Sequence, residues 1–269
     1  IDINKQQISD YFKRLGFGFS EQADSFSVTP PTYRFDLTIE EDFIEELARI
    51  YGYDHIPIDF PRADMAMLSV SENRRSPIEI KKLLVARDYQ EVINYAFVDA
   101  DWELDFVAGS QPITLKNPIA SQMNVMRSTL IGGLISNLQF NLNRKQARVR
   151  LFEIGCCFIR NEENDCKQID KLAGLSYGDI VFEQWGIPAR SVDFFDVKAD
   201  VEVLYGNQKI YFKKFSHPAL HPGKSAQIYL EDKSIGWLGE LHPHWQKKYG
   251  LQKNAILFEV DLESLLPKS

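Results

Sequence analysis

No apolar run in this sequence is long enough to cross a bilayer. The longest, such as Tyr95-Ala96-Phe97-Val98, are strand-sized. The opening Ile1-Asp2-Ile3-Asn4 has neither the basic start nor the apolar stretch of a secretory leader. Cysteine is scarce: Cys156, Cys157 and Cys166 make an odd set with two adjacent members. That is a poor disulfide framework and matches no zinc spacing, so all three are expected to be buried thiols in a reducing cytoplasm. A basic excess is missing too. The net charge of −7 gives no support to a dedicated nucleic-acid binder, although it leaves room for a local basic patch. There is no G-x-x-x-x-G-K-[ST] phosphate loop, no internal repeat and no low-complexity tract. Position 1 is not Met, and the chain is expected to be a piece of something longer.

What is present reads as a globular protein. The 269 residues are 44% hydrophobic and 26% charged, enough for one large domain or two smaller ones with a sizeable core. In the first sixty residues, Asn4 to Leu15 places Ile8, Phe12 and Leu15 on one helix face, with Gly16 and Gly18 beyond it. Ser25 to Thr29 alternates like a strand and meets Pro30-Pro31. Tyr33 to Leu37 is expected to be extended and to lead into a helix ending at Tyr51-Gly52. A helix, strand and helix in this space suggest a winged-helix-like module. Residues 54–77 carry Pro57, Pro61 and Pro77 and read as a linker or edge segment.

The remainder predicts helices over Ile78–Arg87 and Met126–Asn143, the latter with Gly132-Gly133 as a weak spot. Strands are expected at Glu91–Val98, Val149–Gly155 continuing to Arg160, Leu172–Ser176, Ile210–Phe215, Ala226–Leu230 and Ile235–Leu238. Val192–Leu204 passes from a short strand into a helix. Without regular βαβ alternation, this pattern favours an α+β fold with a mainly antiparallel sheet and flanking helices.

One stretch stands out chemically. Six of the eleven residues from Asp36 to Glu46 are carboxylates. Thr38 and Glu41 fit a capping box. At 100° per residue, Ile39, Phe43, Leu47 and Ile50 form a stripe, and Asp42, Glu45, Glu46 and Arg49 share the flank beside it. Asp36 lies just upstream. Acids in a first turn favour the positive helix end, and Arg49 is placed to pair with Glu45 and Glu46. The same carboxylates also suit a hard cation such as Mg²⁺, which takes oxygen ligands and keeps several waters. Spacing alone does not decide between a solvated face and a cation site.

The run VTPPTYRFDLTIEEDFIEELARIYGYDHIP (Val28 to Pro57) closely resembles a signature of the bacterial phenylalanyl-tRNA synthetase beta subunit family. The blocks Asn117–Arg144, Val149–Phe158, Val192–Glu202, His217–Ala226 and Gly239–Pro243 continue the resemblance in order over nearly the whole chain. It implies a B5-like, winged-helix-like module over residues 1–72 and a catalytically degenerate class II synthetase-like core over 73–269. It implies Mg²⁺ sites shared with an alpha subunit, the four acidic positions falling on Asp36, Asp42, Glu45 and Glu46, with Glu40 and Glu41 left to start the helix. It further implies a cytoplasmic heterotetramer of two alpha and two beta subunits that charges tRNA(Phe), with ATP at the alpha subunit's site. The family's tRNA-binding, editing and anticodon-binding domains are not visible in this stretch, which is expected to be a fragment.

Residue chemistry agrees with a chain that lacks its own active site. Adenylate formation needs cations around an α-phosphate, yet no Arg follows Arg190, and Gly236 to Leu241 has none. No catalytic residue is therefore assigned. His217 and His221 have a zinc-like helical spacing, but Pro218 and Pro222 argue for a loop. His242 and His244 flank Pro243 and read as a surface turn. Ser121 and Ser128 fit no nucleophile motif. The basic run Arg144 to Arg150 suits either a solvated loop or phosphate contact. The helices at Ile78 and Met126 are candidates for core or subunit contacts. The rival readings are a stand-alone winged-helix scaffold that binds nucleic acid, against which the acidity of the helix counts, and an autonomous ATP-dependent ligase.

Overall fold

The computed structural model describes residues 3–63, 74–107, 109, 112–160 and 165–266. The chain divides into two compact units, Ile1–Ser69 and Val70–Ser269. The expected boundary at 72/73 lies outside the described residues, as does much of the proline-bearing segment.

In the first unit, α1 (Lys5–Leu15) begins with a reciprocal cap: the Gln7 N–H donates to Asn4 Oδ1 at 2.9 Å, and the Asn4 N–H donates to Gln7 Oε1 at 3.0 Å. Gly16, at φ 72°, ends the helix in the left-handed conformation that lets its N–H reach back to Lys13. Gly18 does not extend this stop but opens β1 (Gly18–Glu21), which pairs antiparallel with β2 (Phe26–Thr29). Tyr33 to Leu37 is turned rather than extended, because Arg34 N–H bonds Pro31 O and Leu37 N–H bonds Arg34 O. α2 (Glu40–Tyr51) follows and stops at Gly52, φ 100°. Phe12, Phe17 and Leu37 form the small core, with Ile8, Phe43 and Leu47 packed against it. The Phe12 ring lies 5.6–6.0 Å from those of Phe17, Phe19 and Phe26, spacings at which aromatic rings attract.

The second unit contains α3 (Pro77–Val85), β3 (Gln90–Glu91), β4 (Phe97–Val98), α4 (Ala100–Phe106), β5 (Ile113–Thr114), β6 (Val125–Met126) and α5 (Ile131–Leu142). After them come β7 (Val149–Arg160), β8 (Cys166–Tyr177), α6 (Phe194–Tyr205), β9 (Ile210–Lys214), β10 (Leu220–Leu230), β11 (Lys233–Leu241), α7 (Pro243–Lys248) and β12 (Ala255–Asp261). Seven strands form one sheet in the order β3-β7-β8-β12-β11-β10-β9, and β4-β6-β5 form a small second sheet. The large sheet is mixed: β3 runs parallel to β7, and the other neighbours are antiparallel. With its flanking helices, the unit is α+β.

Both faces of the large sheet are covered, so its central strands include runs that are apolar at successive positions, such as Leu172 to Leu175 and Ala255 to Phe258. Phe152, Leu238 and Phe258 belong to the core of α3 and α6, while Leu151, Trp237 and Leu257 belong to that of α4 and α5. Gly174 sits opposite Phe258, where a Cβ would lie 2.2 Å from the ring. Only glycine leaves room for that side chain.

Several expected elements differ. Glu91 to Val98 is not one strand, because Asn94 turns away: its N–H and Nδ2 donate to Glu153, and its Oδ1 accepts from Asn137. The helix expected from Met126 starts only at Ile131. The intervening N–H groups are held elsewhere, Arg127 by Ala96 O, Ser128 by Glu103 and Leu130 by Glu259. Gly132-Gly133 is a close approach: a Cβ on Gly132 would lie 2.6 Å from Trp102. β12, α4 and α7 are additional to the expected elements. His242 is the cap of α7, its Nδ1 accepting from His244 N–H, and Pro243 takes the first helical position. The thiols are not all buried: Cys157 is, Cys156 is partly so and Cys166 is exposed.

Candidate functional site

The acidic segment is built from the turn at residues 31–37 and the first two turns of α2. Asp42, three residues into the helix, accepts from both Thr38 N–H (2.7 Å) and Ile39 N–H (2.9 Å) through Oδ2. The helix therefore begins one residue later than a Thr38 cap requires, and Asp42 replaces Glu41 as the acid that reaches back. These two bonds hold the Asp42 carboxyl below its ordinary range, with Ile39 the stronger contributor.

Asp36 and Glu46 converge on a residue that the spacing argument did not identify. Arg34 Nη2 lies 2.7 Å from Asp36 Oδ2 and 2.9 Å from Glu46 Oε1, and Arg34 Nε also donates to Asp36. Arg49 completes the cluster at 2.5 Å from Glu46 Oε2. The hydrogen bond from Arg34 chiefly depresses the pKa of both Asp36 and Glu46, with Arg49 adding to the effect at Glu46. Glu46 is the buried residue of α2, its side chain 12% exposed, whereas Glu45 is exposed. Thus Asp36 and Glu46 share one cation, Asp42 is tied to the helix start and Glu45 faces solvent. Among the described residues no group of three His, Cys, Asp or Glu side chains is placed to hold a metal ion. The tripeptide Arg34-Phe35-Asp36 held a local signal for the pairing. Its extension to Glu46 depends on the turn.

A second polar constellation lies inside the other unit. Glu259 of β12 accepts from Lys171 Nζ (2.7 Å), Thr129 Oγ1 (2.6 Å) and Leu130 N–H (2.8 Å). Burial acts to raise its pKa, but the Lys171 charge and these donors outweigh it and leave the carboxyl below its ordinary value. Lys171 is correspondingly raised, the charge of Glu259 overcoming the penalty of burial. Nearby, Arg127 Nη1 donates to Glu153 Oε1 at 2.6 Å and Arg127 Nε to Cys156 O at 3.0 Å. Glu103 takes the N–H and hydroxyl of Ser128, and burial raises its pKa. These groups are engaged with one another. Such an arrangement fixes strands and the start of α5. It presents neither a nucleophile beside a base nor a converging set of free cations. The sequence signal was a lone charge inside an apolar strand, as in Ile256-Leu257-Phe258-Glu259-Val260.

Among the described residues the histidines belong to no group placed to hold a metal ion. His217 precedes β10, and its ring stacks on Trp237 with centroids 5.0 Å apart. Burial lowers its pKa to about 4. His221 lies within β10 and accepts from Gly223 N–H. The basic run is divided: Arg150 is buried against Asp200 at 2.5 Å, Arg148 reaches Asp88 at 3.2 Å, and Arg144 stays exposed. Among the described residues no helix is long and apolar enough to cross a membrane.

Comparison with known proteins places these units. Residues 1–53 match the tRNA synthetase B5 domain, and residues 56–262 match the phenylalanyl tRNA synthetase beta chain CLM domain. The chain is 54% identical to the phenylalanine–tRNA ligase beta subunit of Nitrosospira multiformis over 269 residues, which cover 100% of this chain and 34% of that protein. It is 49% identical to the corresponding subunit of Ralstonia nicotianae over 273 residues (98% and 34%). Against that of Chromobacterium violaceum it is 48% identical over 268 residues (100% and 34%). The chain spans about a third of the length of the curated relatives it matches.

Proposed function

The chain belongs to the phenylalanyl-tRNA synthetase beta chain family, and from that premise we propose that it is the central, non-catalytic part of a phenylalanine–tRNA ligase beta subunit. Residues 1–72 act as a B5-like, winged-helix-like module and 73–269 as a class II synthetase-like core. The core supports an alpha subunit that holds ATP and phenylalanine, in a cytoplasmic assembly of two alpha and two beta chains that charges tRNA(Phe). The single observation carrying this reading is the family match over residues 56–262. The mutual engagement of Glu259, Lys171, Glu153 and Arg127 accords with a core that keeps its shape without its own chemistry.

Asp36, Asp42, Glu45 and Glu46 are assigned to Mg²⁺. The oxygen donors suit the ion, and Asp36 with Glu46 already shares a single cation, the Arg34 guanidinium. In this reading Asp36 and Glu46, which now share Arg34, would hold Mg²⁺ together with Asp42, Glu45 and groups of the alpha subunit, and the ion would supply positive charge that offsets the clustered carboxylates at the subunit contact.

Co-expression of the full-length beta chain with its alpha chain is the test. A stable complex with phenylalanine-dependent ATP–pyrophosphate exchange is expected, and the same exchange by the isolated beta chain, or failure of the two chains to associate, overturns the reading. Asp42→Asn with Glu46→Gln is expected to lower the Mg²⁺ dependence or the association. An unchanged Mg²⁺ titration and unchanged association return the cluster to an ordinary solvated face.

A further inference from the structure

The basic run at 144–150 acquires a shape in the fold. The turn after α5 is fixed by Arg144 N–H and Gln146 N–H, both bonded to Asn141 O, and by Lys145 in the left-handed conformation at φ 64°. It delivers Arg144 and Arg148 to the wall of a cleft of ≈ 600 Å³, whose lining also includes Asp88, Gln146, Arg150 and Phe182. The lining carries three guanidinium groups against one carboxylate, Asp88, on a chain whose net charge is −7.

The charges are not equivalent. Arg150 is committed inward, paired with Asp200 and stacked on Tyr89 at 4.5 Å. Arg148 is also committed, paired with Asp88 at 3.2 Å and bonded to the carbonyls of Asp179 and Ile180, while its guanidinium lies 4.6 Å from the centre of the Phe182 ring. Arg144 lies 3.3 Å over the Phe140 ring and donates to Phe140 O. Among the described residues no carboxylate within salt-bridge distance holds it or Lys145. Phe140 and Phe182 are 54% and 68% exposed, a cost in water that a stacking partner would remove. A guanidinium and a Lys without a carboxylate partner among the described residues, beside exposed aromatic rings, meet the needs of unpaired RNA: phosphates seek the cations and bases seek the rings.

We propose that this cleft seats a non-helical RNA segment, with Arg144 of its wall and the neighbouring Lys145 of the turn on its phosphates and a base against Phe182. The inference rests on the ligase reading, in which RNA is already a partner of the assembly, and goes beyond it by placing one RNA contact on this unit.

The test uses the assembled enzyme with a full-length beta chain and a tRNA(Phe) transcript as probe. Binding is measured by filter retention across a salt series, beside phenylalanine-dependent ATP–pyrophosphate exchange, which needs no RNA. Arg144→Ala with Lys145→Ala is expected to weaken binding and to flatten the slope of log K against log salt by roughly 1.4, about 0.7 for each lost single-strand phosphate contact. Phe182→Ala is expected to weaken binding roughly five-fold or more at unchanged slope, the effect of losing one stacked base. Exchange should persist in both variants. Unchanged affinity and slope overturn the inference. So does loss of alpha-chain association by size-exclusion chromatography, which identifies the cleft as a protein contact. Failure of exchange in the unmutated enzyme instead sinks the ligase reading, while the binding series still reports on the cleft.

Discussion

Glu46 and Glu259 are both glutamates held by cations, and they illustrate opposite uses of an ion pair. Glu46 sits between Arg34 and Arg49, which are 24% and 53% exposed, so water and ions reach the pair. Glu259 is 3% exposed, Lys171 15%, and two further donors from Thr129 and Leu130 complete its shell. A pair whose cations are open to solvent is worth less, and its cation is exchangeable. A buried one is costly to assemble and far more costly to break, because the orphaned charge stays in a medium that solvates it poorly. The first arrangement is suited to a binding surface and the second to a fixed scaffold.

The sharpest way to break this contrast is Lys171→Met. The Glu259 carboxylate then keeps its two neutral donors but no counter-charge, and the expected loss is about 3–5 kcal/mol. For a unit of this size that lowers the melting temperature by roughly 6–20 °C, measurable by calorimetry. A loss below about 1 kcal/mol, the range of an exposed pair, would erase the distinction.

His217 offers a second probe of the same interior. Its folded pKa is about 4 against an ordinary 6.5, because burial disfavours the imidazolium. Between these values the unfolded chain binds more protons than the folded one, so stability falls as pH drops through 6.5 and the loss is complete below about 4. The full effect is about 3 kcal/mol. His217→Phe, which preserves the stack on Trp237, should flatten the difference in denaturant midpoint between pH 7 and pH 4.5. An equal pH response in both proteins would mean that the imidazole titrates freely.

These contrasts also explain what could be read from the residues alone. The α+β class, α1, α2 and β7 follow from local periodicity and caps, and the four acids were visible as a cluster. Arg34 was not, because its link to Glu46 spans twelve positions and forms only when residues 31–37 turn. β12 escaped because Ala255-Ile256-Leu257-Phe258 has no alternation, the expected result when both faces of a strand are buried. Glu259 and Lys171 are 88 residues apart, so nothing local announces that they meet. Likewise, the failed helix start at Met126 records N–H groups captured by the Ala96 carbonyl and by the distant carboxylates Glu103 and Glu259, which local propensity does not describe.

In the first unit the pH response runs in one direction. Asp36 and Glu46 have depressed pKa values, owing first to the hydrogen bond from Arg34. Their contribution is complete above the ordinary carboxylate values of 3.8 and 4.5 and is lost as pH falls through the lower folded values. Glu46→Gln should therefore reduce the acid sensitivity of this unit below about pH 4.5, followed by amide exchange in α2, while leaving the second unit's melting unchanged. The shift should be smaller than either effect in the interior, because solvent already screens these charges.

The smallest change in stability should come from Arg34→Ala, and it is the most informative about the proposed cation. Arg34 is what Asp36 and Glu46 now share. Removing it leaves two carboxylates facing one another with only Arg49 to compensate. If Mg²⁺ competes for that position, the variant melts close to the parent at neutral pH without the ion and gains more from added MgCl₂, with half-saturation at a lower concentration. Arg34→Ala combined with Asp36→Asn should lose that gain, since a single carboxylate holds Mg²⁺ weakly among its waters. A simple relief of like-charge repulsion would respond equally to NaCl at matched ionic strength. Identical MgCl₂ titrations for parent and variant would mean that Arg34 and the ion do not contend for one place, and the acidic helix would then resemble the buried pair in being closed to exchange.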